Sequence, residues 1–425
     1  MKGRSNLLFM VMLFFVTSGF NRVVPSEAFQ TLSLPSPTPT PSSGATPEPY
    51  IPAGDLPTPP VVLSVRQPAA APLFKPGDAV SLEKIEMKSR IEGWGISGGK
   101  VLTTVDGGKT WRETTPPESF LAGAKVQAYG AFLDIHTAWI IFAMDGQIDP
   151  RASVWHTTDS GRNWTPSTPL NHQAYGDQVW AEFALLDEQN IWLMVRGVYV
   201  GAGTHYDHEL FHSVDGGLTW SSLDGQTSDD YTGMAFADPR NGLRTLQTTG
   251  AYAPAPPAFD ISTDGGATWQ TRELPAPPGA PNLFERYPYC ETYQPVMSSA
   301  KSIRMLVGCF DYKNPPQQFT GFLYSSQDGG AGWLTAPLPA KARAEQSQVV
   351  YLDAGHILLL GRNIYLSTNS GQQWKFVKMV NWDGQFSFID PQEGWAIARA
   401  NGETALVHTI DGAATWKVIN PVISQ

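Results

Sequence analysis

The sequence predicts an all-β fold, a seven-bladed β-propeller of four-stranded antiparallel blades, preceded by a signal peptide and a disordered Pro-rich linker. Three observations predict it. Seven copies of an eight-residue pattern close to S/T-x-D-x-G-x-T-W occur between residues 104 and 416, with departures such as Asn369 for Asp and Ala413 for Gly. Its closing Trp residues follow one another at intervals of 41 to 64 residues, the spacing of propeller blades. The 425-residue chain also contains 40 Gly and 35 Pro, which favour turns and short strands over helices.

Residues 1–28 are typical of a secretory signal peptide. Lys2 and Arg4 precede the apolar run 7–16, which is too short to span a bilayer. Residues 26–28 (Ser-Glu-Ala) form a small-x-small cleavage site, and no Cys follows the run to carry a lipoprotein anchor. An uncleaved short anchor is the alternative. We expect a secreted or extracytoplasmic protein that is not inserted in the membrane once the signal is cleaved.

Residues 29–76 predict a disordered linker rich in Pro, Ser and Thr. Thirteen of the 35 Pro fall between Pro35 and Pro76, among small and polar residues that cannot bury enough apolar surface to offset the entropy of ordering. A stalk that holds the folded part away from the cell surface and a plain disordered leader are equally compatible with this composition.

Residues 77–425 form the predicted propeller, and one octapeptide falls in each blade. The expected blades are 77–120, 121–172, 173–226, 227–276, 277–340, 341–380 and 381–425. Each unit divides into strands a to d, with its own complete set, so little strand exchange is expected where the ring closes. One such unit cannot bury both of its faces, whereas seven packed around an axis can.

The octapeptide is predicted to form the turn between strands c and d. Its acidic residue can accept hydrogen bonds from backbone N–H groups, Gly supplies the positive φ of a tight turn, and Trp packs the turn against the sheet. The turn positions are Asp106, Asp159, Asp215, Asp264, Asp328, Asn369 and Asp411. The Trp positions are Trp111, Trp164, Trp220, Trp269, Trp333, Trp374 and Trp416. We interpret all of them as structural.

A second pattern upstream marks the turn between strands a and b. It consists of an apolar residue, x, Asp, a short turn and a new apolar run, as in 132–139 (FLDIHTAW), 185–192 (LLDEQNIW), 236–243 (FADPRNGL) and 388–395 (FIDPQEGW). Four Trp open this second run, so eleven of the 14 Trp belong to the repeat and the Trp content is mainly architectural.

These two patterns resemble known repeats. The octapeptide is similar to the Asp-box, or BNR repeat, of sialidases and sortilin-type receptors. The pairing of the two patterns most resembles the photosystem II assembly/stability factor family. The resemblance covers about residues 82–421 and implies a propeller in which the Asp-boxes lie on the outer part of the blades, away from the ligand face. Members of that family bind partner proteins through a basic patch, whereas this chain is acidic, with 29 Lys and Arg against 39 Asp and Glu.

Composition and motifs argue against most enzyme classes and against nucleic acid as a partner. The net charge of −10 disfavours binding to phosphate backbones. The sequence contains no nucleophile elbow or P-loop, and no F/Y-R-I-P motif precedes the first octapeptide as it would in a sialidase. We therefore predict a non-enzymatic propeller, expected to be a monomer, that binds a protein or a glycan. A glycoside hydrolase of sialidase type is the alternative.

No cofactor and no metal are expected. The segment 204–209 (THYDHE) offers His205, Asp207, His208 and Glu209 as ligands, but two His three residues apart on a loop make a poor tetrahedral pair. We interpret this segment as an exposed polar loop.

The working face is predicted to be the one opposite the octapeptide turns. Its longest loops, 197–210, 248–259, 274–290 and 310–320, belong to blades three to five. Long aromatic loops on a rigid scaffold are common binding sites, although capping of the ring would also explain them. The candidate binding residues are Tyr199, Tyr206, Tyr252, Tyr287, Tyr289 and Tyr312.

The two Cys are predicted to form a disulfide. Aligning Ile303 of blade five with Leu243 of blade four places Ser298 at the position of Asp238, and on that register Cys290 faces Cys309 across strands a and b. Directly opposed residues are close enough for a bridge, which an oxidising compartment would preserve. Two buried free thiols are the alternative.

Overall fold

The computed structural model describes residues 68–69, 74–118, 120–121, 123–174, 176–199, 205–223, 231–247, 256–287, 289–311, 318–353 and 355–424. For residues 68, 69, 121, 199, 205 and 206 it describes the backbone only. The predicted signal peptide and most of the predicted linker lie outside the described residues.

Seven four-stranded antiparallel sheets form a ring of seven blades, which confirms the predicted fold. A two-residue strand, β1 (Pro68–Ala69), precedes blade one and pairs with β6 (Phe120–Leu121), which follows it. Blade one contains β2 (Lys84–Met87), β3 (Gly93–Ser97), β4 (Lys100–Thr104) and β5 (Thr110–Glu113). Blade two contains β7 (Val126–Phe132), β8 (Ala138–Met144), β9 (Trp155–Thr157) and β10 (Thr165–Pro166). Blade three contains β11 (Gln178–Leu185), β12 (Ile191–Tyr199), β13 (His205–Ser213) and β14 (Ser221–Ser222).

The remaining blades repeat this order. Blade four contains β15 (Tyr231–Phe236), β16 (Gly242–Leu246), β17 (Ala258–Ser262) and β18 (Gln270–Glu273), and the short helix α1 (Leu283–Arg286) follows it. Blade five contains β19 (Tyr289–Met297), β20 (Ile303–Asp311), β21 (Gln318–Ser326) and β22 (Leu334–Pro337). After a 3-10 turn at Ala344–Gln346, blade six contains β23 (Gln348–Tyr351), β24 (Ile357–Leu360), β25 (Asn363–Ser367) and β26 (Lys375–Met379). Blade seven contains β27 (Asp383–Phe388), β28 (Gly394–Ala400), β29 (Glu403–Thr409) and β30 (Lys417–Ile419), and β31 (Val422–Ile423) ends the described chain.

The core is divided among the interfaces between blades. Seven buried hydrophobic clusters each join residues of two neighbouring blades, including one between blades seven and one. The Trp residues that open the b strands reinforce these interfaces. The indole N–H of Trp139 donates to Gly216 O of the next blade at 2.8 Å, and that of Trp192 donates to Gly265 O at the same distance. The repeat therefore encodes contacts between blades as well as turns within them.

Inner-strand side chains also connect one blade to the next. The first strand of a blade has an unpaired backbone edge, which must find other hydrogen-bond partners. In blade seven, Gln385 accepts from Ile85 N and donates to Ile85 O of blade one, both at 2.9 Å. In blade six, Gln348 makes the same pair of bonds with Phe386 of blade seven, at 2.9 and 3.0 Å. Gln294 of blade five likewise bonds backbone groups at the start of blade six. Three glutamines thus join blades five, six, seven and one in series.

Replacing Gln385 with Leu should lower the free energy of unfolding by about 2–3 kcal/mol, because it leaves a buried N–H and a buried C=O of Ile85 without partners. Urea unfolding of the full chain measures this effect. Gln372, which is exposed, provides the control: Gln372→Leu should leave the midpoint nearly unchanged. Equal midpoints for the two variants would show that the ring does not depend on this contact.

Both ends of the described chain meet on the outside of blade one. Each blade has its own four strands, as expected, but β31 adds a fifth, parallel strand outside β5. Gly77 N donates to Ile423 O and Val80 N to Pro421 O, each at 3.0 Å. Phe74 N also bonds the Glu113 carboxylate, so contacts with the propeller begin before residue 77, inside the segment expected to be a disordered linker.

The disulfide between Cys290 and Cys309 is present, although the alignment used to predict it is one residue wrong. The residue that caps the a–b turn of blade five is Ser299, not Ser298: its hydroxyl accepts from Lys301 N and Ser302 N. A bulge between Tyr293 and Val296 then shifts the register by one residue. The pairs next to the turn, such as Met297 with Ile303, would place Phe310 opposite Cys290, and the bulge moves this partner by one residue, so Cys290 pairs with Cys309 with Cα atoms 4.1 Å apart.

Candidate ligand-binding face

The seven octapeptide turns are closed, internally bonded structures. In every copy the first Ser or Thr hydroxyl accepts from the backbone N–H four residues later, at 2.8–3.1 Å. The Asp or Asn Oδ1 accepts from the N–H four residues after it, at 2.8–2.9 Å. The hydroxyl and N–H of Thr268 lower the pKa of Asp264, and those of Thr415 lower the pKa of Asp411. Since these oxygens are already used within the turn, a structural role accounts for them.

The face opposite these turns is raised over two blades. In blade three, β12 and β13 have nine residues each, and in blade five β19, β20 and β21 also have nine. In blade four, which lies between them, β16 and β17 have five. Four extra residues extend a strand by about 13 Å. Blades three and five therefore form two walls on either side of the shorter strands of blade four.

The predicted tyrosines fall in different places. Tyr199 ends β12 opposite His205, and Tyr206 pairs with Val198, so both backbones lie at the top of the blade-three wall. Tyr289 begins β19 opposite Phe310 and is half-buried at the top of the blade-five wall. Tyr252 and Tyr312 lie outside the described residues.

Tyr287 is a correction, because it does not belong to an exposed binding loop. Its side chain is only 8% exposed and packs, with Leu283 and Phe284, into the cluster between blades four and five. The connection between these blades is not a free loop, since α1 folds back and buries its apolar residues against the disulfide. We therefore exclude Tyr287 from the binding face.

The segment 205–209 is also a correction, because it forms part of β13 and not an exposed polar loop. Asp207, His208 and Glu209 are all buried. Glu209 accepts from Gln173 N and from the Ser222 hydroxyl, each at 2.8 Å. Within the described ranges, no group of three His, Cys, Asp or Glu side chains is arranged to hold a metal ion.

A buried polar network lies beneath the face, between blades three and four. The Arg244 guanidinium donates to Asp260 at 3.0 Å, and it lies 3.7 Å from the ring centroid of Tyr231 and 4.0 Å from that of Trp269. The Thr271 hydroxyl donates to the other Asp260 oxygen at 2.7 Å. Sequence reasoning missed this network because Arg244, Asp260 and Thr271 occupy ordinary strand positions that no local motif marks.

Trp180 is a candidate ligand contact that the sequence analysis did not single out. It lies near the start of β11, the inner strand of blade three, and therefore at the end of the ring opposite the octapeptide turns. Its side chain is half-buried, with the Arg196 guanidinium 5.5 Å from its ring centroid. Its position outside both repeat patterns was the available signal, since the repeat does not account for a Trp at this position.

The stability of the fold depends on pH through His208, which is buried close to Arg244 of the polar network between blades three and four. Burial, and then the positive charges of Arg196 and Arg244, lower the pKa of His208 to about 3. The unfolded chain binds a proton here below about pH 6.5, whereas the folded chain does not until about pH 3. Between these values the unfolded state therefore carries more protons, and stability falls as the pH falls.

We expect His208→Gln to flatten this dependence. His208 alone contributes a slope of up to about 1.4 kcal/mol per pH unit, which the variant lacks. Urea unfolding at a series of pH values between about 7 and 4 measures the slope. The exposed His136 is the matched control, and His136→Gln should keep the wild-type slope. An unchanged slope in His208→Gln would contradict the assignment.

One Tyr–Glu contact is chemically relevant to the hydrolase alternative. The hydroxyl of Tyr293 donates to the Glu291 carboxylate on the inner strand of blade five. A Tyr activated by Glu is the nucleophile pair that a sialidase requires. The Tyr293 ring is, however, only 3% exposed and belongs to the cluster between blades five and six.

Comparisons with known proteins yield structural similarities only. No protein-family model matches the sequence, and neither does any curated protein. The structure is similar to that of YCF48 bound to a D1 peptide, with 14% identity over 80% of this chain and 98% of that chain and a TM-score of 0.48. It is similar to YCF48 from Cyanidioschyzon merolae, with 16% identity over 80% and 97% and a TM-score of 0.45. It is also similar to the GH93 α-L-arabinofuranosidase of Fusarium graminearum, with 12% identity over 68% and 92% and a TM-score of 0.41. At this degree of similarity we draw nothing from them about function.

No helix in the described part of the chain is long and apolar enough to cross a membrane.

Proposed function

We propose that this protein is an exported, non-enzymatic binding propeller that recognises a protein or glycan partner with the face opposite the octapeptide turns. The observation that carries this proposal is that, on that face, the strands of blades three and five extend beyond those of blade four. Binding residues are commonly presented on such scaffolds. Trp180, Tyr199, Tyr206 and Tyr289 are the candidate contacts.

The buried charges beneath the face support binding over catalysis. Asp260 is neutralised by Arg244, Glu209 is held by two hydrogen bonds, and the low pKa of His208 keeps it neutral at physiological pH. General acid–base catalysis instead needs a side chain that can donate or accept a proton within hydrogen-bond reach of the substrate. These groups serve the packing between blades three and four.

Export is supported by two features. The N-terminal sequence has the pattern of a signal peptide. The only two Cys of the chain form a disulfide, which persists in oxidising compartments and is rare in the cytosol.

A glycan and peptide array probed with the purified protein tests the proposal. We expect at least one hit whose binding is weakened about tenfold by Trp180→Ala and by Tyr199→Ala with Tyr206→Ala. Trp374, a half-buried Trp of an octapeptide turn, is the matched control, and Trp374→Ala should leave binding unchanged. If Trp180→Ala and the double variant Tyr199→Ala with Tyr206→Ala both bound the hit as tightly as the wild type, the proposal would be contradicted.

The glycoside hydrolase is the second candidate, favoured by the Tyr293–Glu291 contact. It predicts turnover of a fluorogenic sialoside that Tyr293→Phe abolishes. The binding proposal predicts no turnover by either protein, so the same assay separates the two functions.

A further inference from the structure

Blade six has an open outer edge with an apolar cleft beside it. In the described part of the chain, β26 is the outermost strand of its sheet. Phe376 and Met379 in this five-residue strand are 52% and 68% exposed. A surface cleft of about 690 Å³ lies along the strand, lined in part by these two side chains, Val377 and Tyr365.

The cleft is positioned by the interface between blades five and six. Tyr365 packs with residues of blade five in the cluster between these blades and meets the Phe376 ring edge to face, with centroids 5.6 Å apart. Val380 N donates inward to Arg362 O at 2.8 Å. Because N–H directions alternate along an antiparallel strand, the N–H of Met379 points outward and can pair with another strand.

The lysines at this edge favour an acidic segment over a second copy of the chain as the occupant. Lys341 and Lys378 line the cleft and Lys375 lies in β26, although the chain as a whole carries a net charge of −10. Pairing with a second copy would bring lysines together across the new interface, and like charges on paired strands are destabilising. An acidic strand would instead place carboxylates opposite them.

The same chain shows that an outer edge of this propeller can accept another strand. β31 pairs with β5 on the outside of blade one, at the position that β26 leaves open in blade six. Addition of an extended segment to an exposed sheet edge is a general mode of peptide recognition, in which the backbone gives affinity and side-chain pockets give specificity.

We propose that the outer edge of blade six binds an extended acidic segment of a partner protein, which adds a fifth strand next to β26 and inserts apolar side chains between Phe376 and Met379. This surface is separate from the face opposite the octapeptide turns, and the proposal does not depend on the function proposed for that face. Lys341 and Lys375 provide the charge selection, since the Lys378 ammonium donates to Ala414 O of blade seven at 2.9 Å.

The probe is a short fluorescent peptide in which Val and Glu alternate, with a Val–Lys peptide as its counterpart. We expect the full-length protein to bind the Glu peptide in a fluorescence anisotropy titration and to bind the Lys peptide at least about tenfold more weakly. Met379→Pro removes the outward N–H, and it should weaken binding by about tenfold or more, whereas Met379→Leu should restore it.

Charge reversal gives a second, independent test. Lys341→Glu with Lys375→Glu should reverse the preference between the two peptides. Lys417 occupies an exposed position on β30, the outer strand of blade seven, so Lys417→Glu is the matched control and should change neither affinity. Thermal unfolding of each variant establishes that the ring is intact.

Three results would overturn the proposal. The Glu peptide could fail to bind the wild-type protein. It could bind a folded Met379→Pro variant as tightly as the wild type. Sedimentation could show a dimer that Met379→Pro dissociates, which would assign the edge to a second copy of the chain. A negative result in the glycan and peptide array, which tests the face opposite the octapeptide turns, would leave these outcomes unaffected.

Discussion

Replacing Trp395 with Ala should destabilise the protein by about 3–5 kcal/mol, the usual cost of removing a large buried aromatic side chain. Trp395 is completely buried in the cluster that joins blades seven and one. Its indole N–H donates to Gly107 O in the octapeptide turn of blade one at 2.9 Å, and its ring stacks on His408 at 4.5 Å. The variant therefore creates a cavity at the interface where the two ends of the chain close the ring.

Urea unfolding measures this effect. Trp395→Phe separates the loss of the hydrogen bond from the loss of volume, and Trp416→Ala serves as a comparison. Trp395→Phe keeps most of the volume but loses the hydrogen bond, so it should cost less than Trp395→Ala. Trp416 also belongs to blade seven but is half-buried, and Trp416→Ala should cost less as well. If Trp395→Ala were no more harmful than Trp416→Ala, the closure would depend on other contacts.

Replacing Cys290 and Cys309 together with Ala should lower the free energy of unfolding by about 3 kcal/mol, the chain-entropy effect of a loop of this length. Both Cys are fully buried and 19 residues apart in sequence. They lie at the raised ends of β19 and β20, so the bridge also holds the blade-five wall in register. We expect faster amide hydrogen exchange at the start of β19 and the end of β20 in the variant.

A thiol titration provides the complementary measurement. The unfolded, unreduced wild-type protein should contain no reactive thiol, and reduction should expose two. Two reactive thiols without reduction would rule out the bridge. An unchanged unfolding midpoint in the double variant would show that the bridge forms without contributing to stability.

The fold could be predicted because the octapeptide is a local device repeated seven times. Each turn satisfies its own backbone groups through a Ser or Thr and an Asp or Asn, so its geometry depends little on the rest of the chain. The exceptions follow the same logic. Most copies of the octapeptide have Gly at the fourth and fifth positions. Ser160 and Ser370 stand at the fourth position of their copies and Ala413 at the fifth, yet all three adopt the positive φ that the turn requires.

The disulfide shows the limit of arguments from register. The predicted pairing was right, but the turn was misplaced by one residue, and the true register brings Cys309 opposite Cys290 only through the bulge at Gln294. Bulges redirect side chains, and this one directs the Gln294 amide to the backbone of blade six. Pro295 in the middle of β19 was a sign of the bulge, since Pro within a sheet is confined to edge strands and bulges, but the contact that the bulge serves lies in the neighbouring blade.

The candidate site was predicted only in part, for the same physical reason. Loop length pointed to blades three to five, but it could not show that the segment 205–209 is part of strand β13. Polar residues in that segment look exposed until Arg244 and Asp260 of the next blade are placed beside them. Tyr287 was misassigned because α1, a single turn of helix, buries it against blade five.

Hydrogen–deuterium exchange on the protein with and without its array ligand tests the central claim most directly, because it locates the bound surface without a mutation. The binding proposal predicts slower exchange at the start of β11 and at the raised ends of β12, β13, β19 and β20, with the octapeptide turns unchanged. Slower exchange confined to the octapeptide turns, such as those at Asp215 and Asp264, would place the ligand on the opposite face and contradict the account.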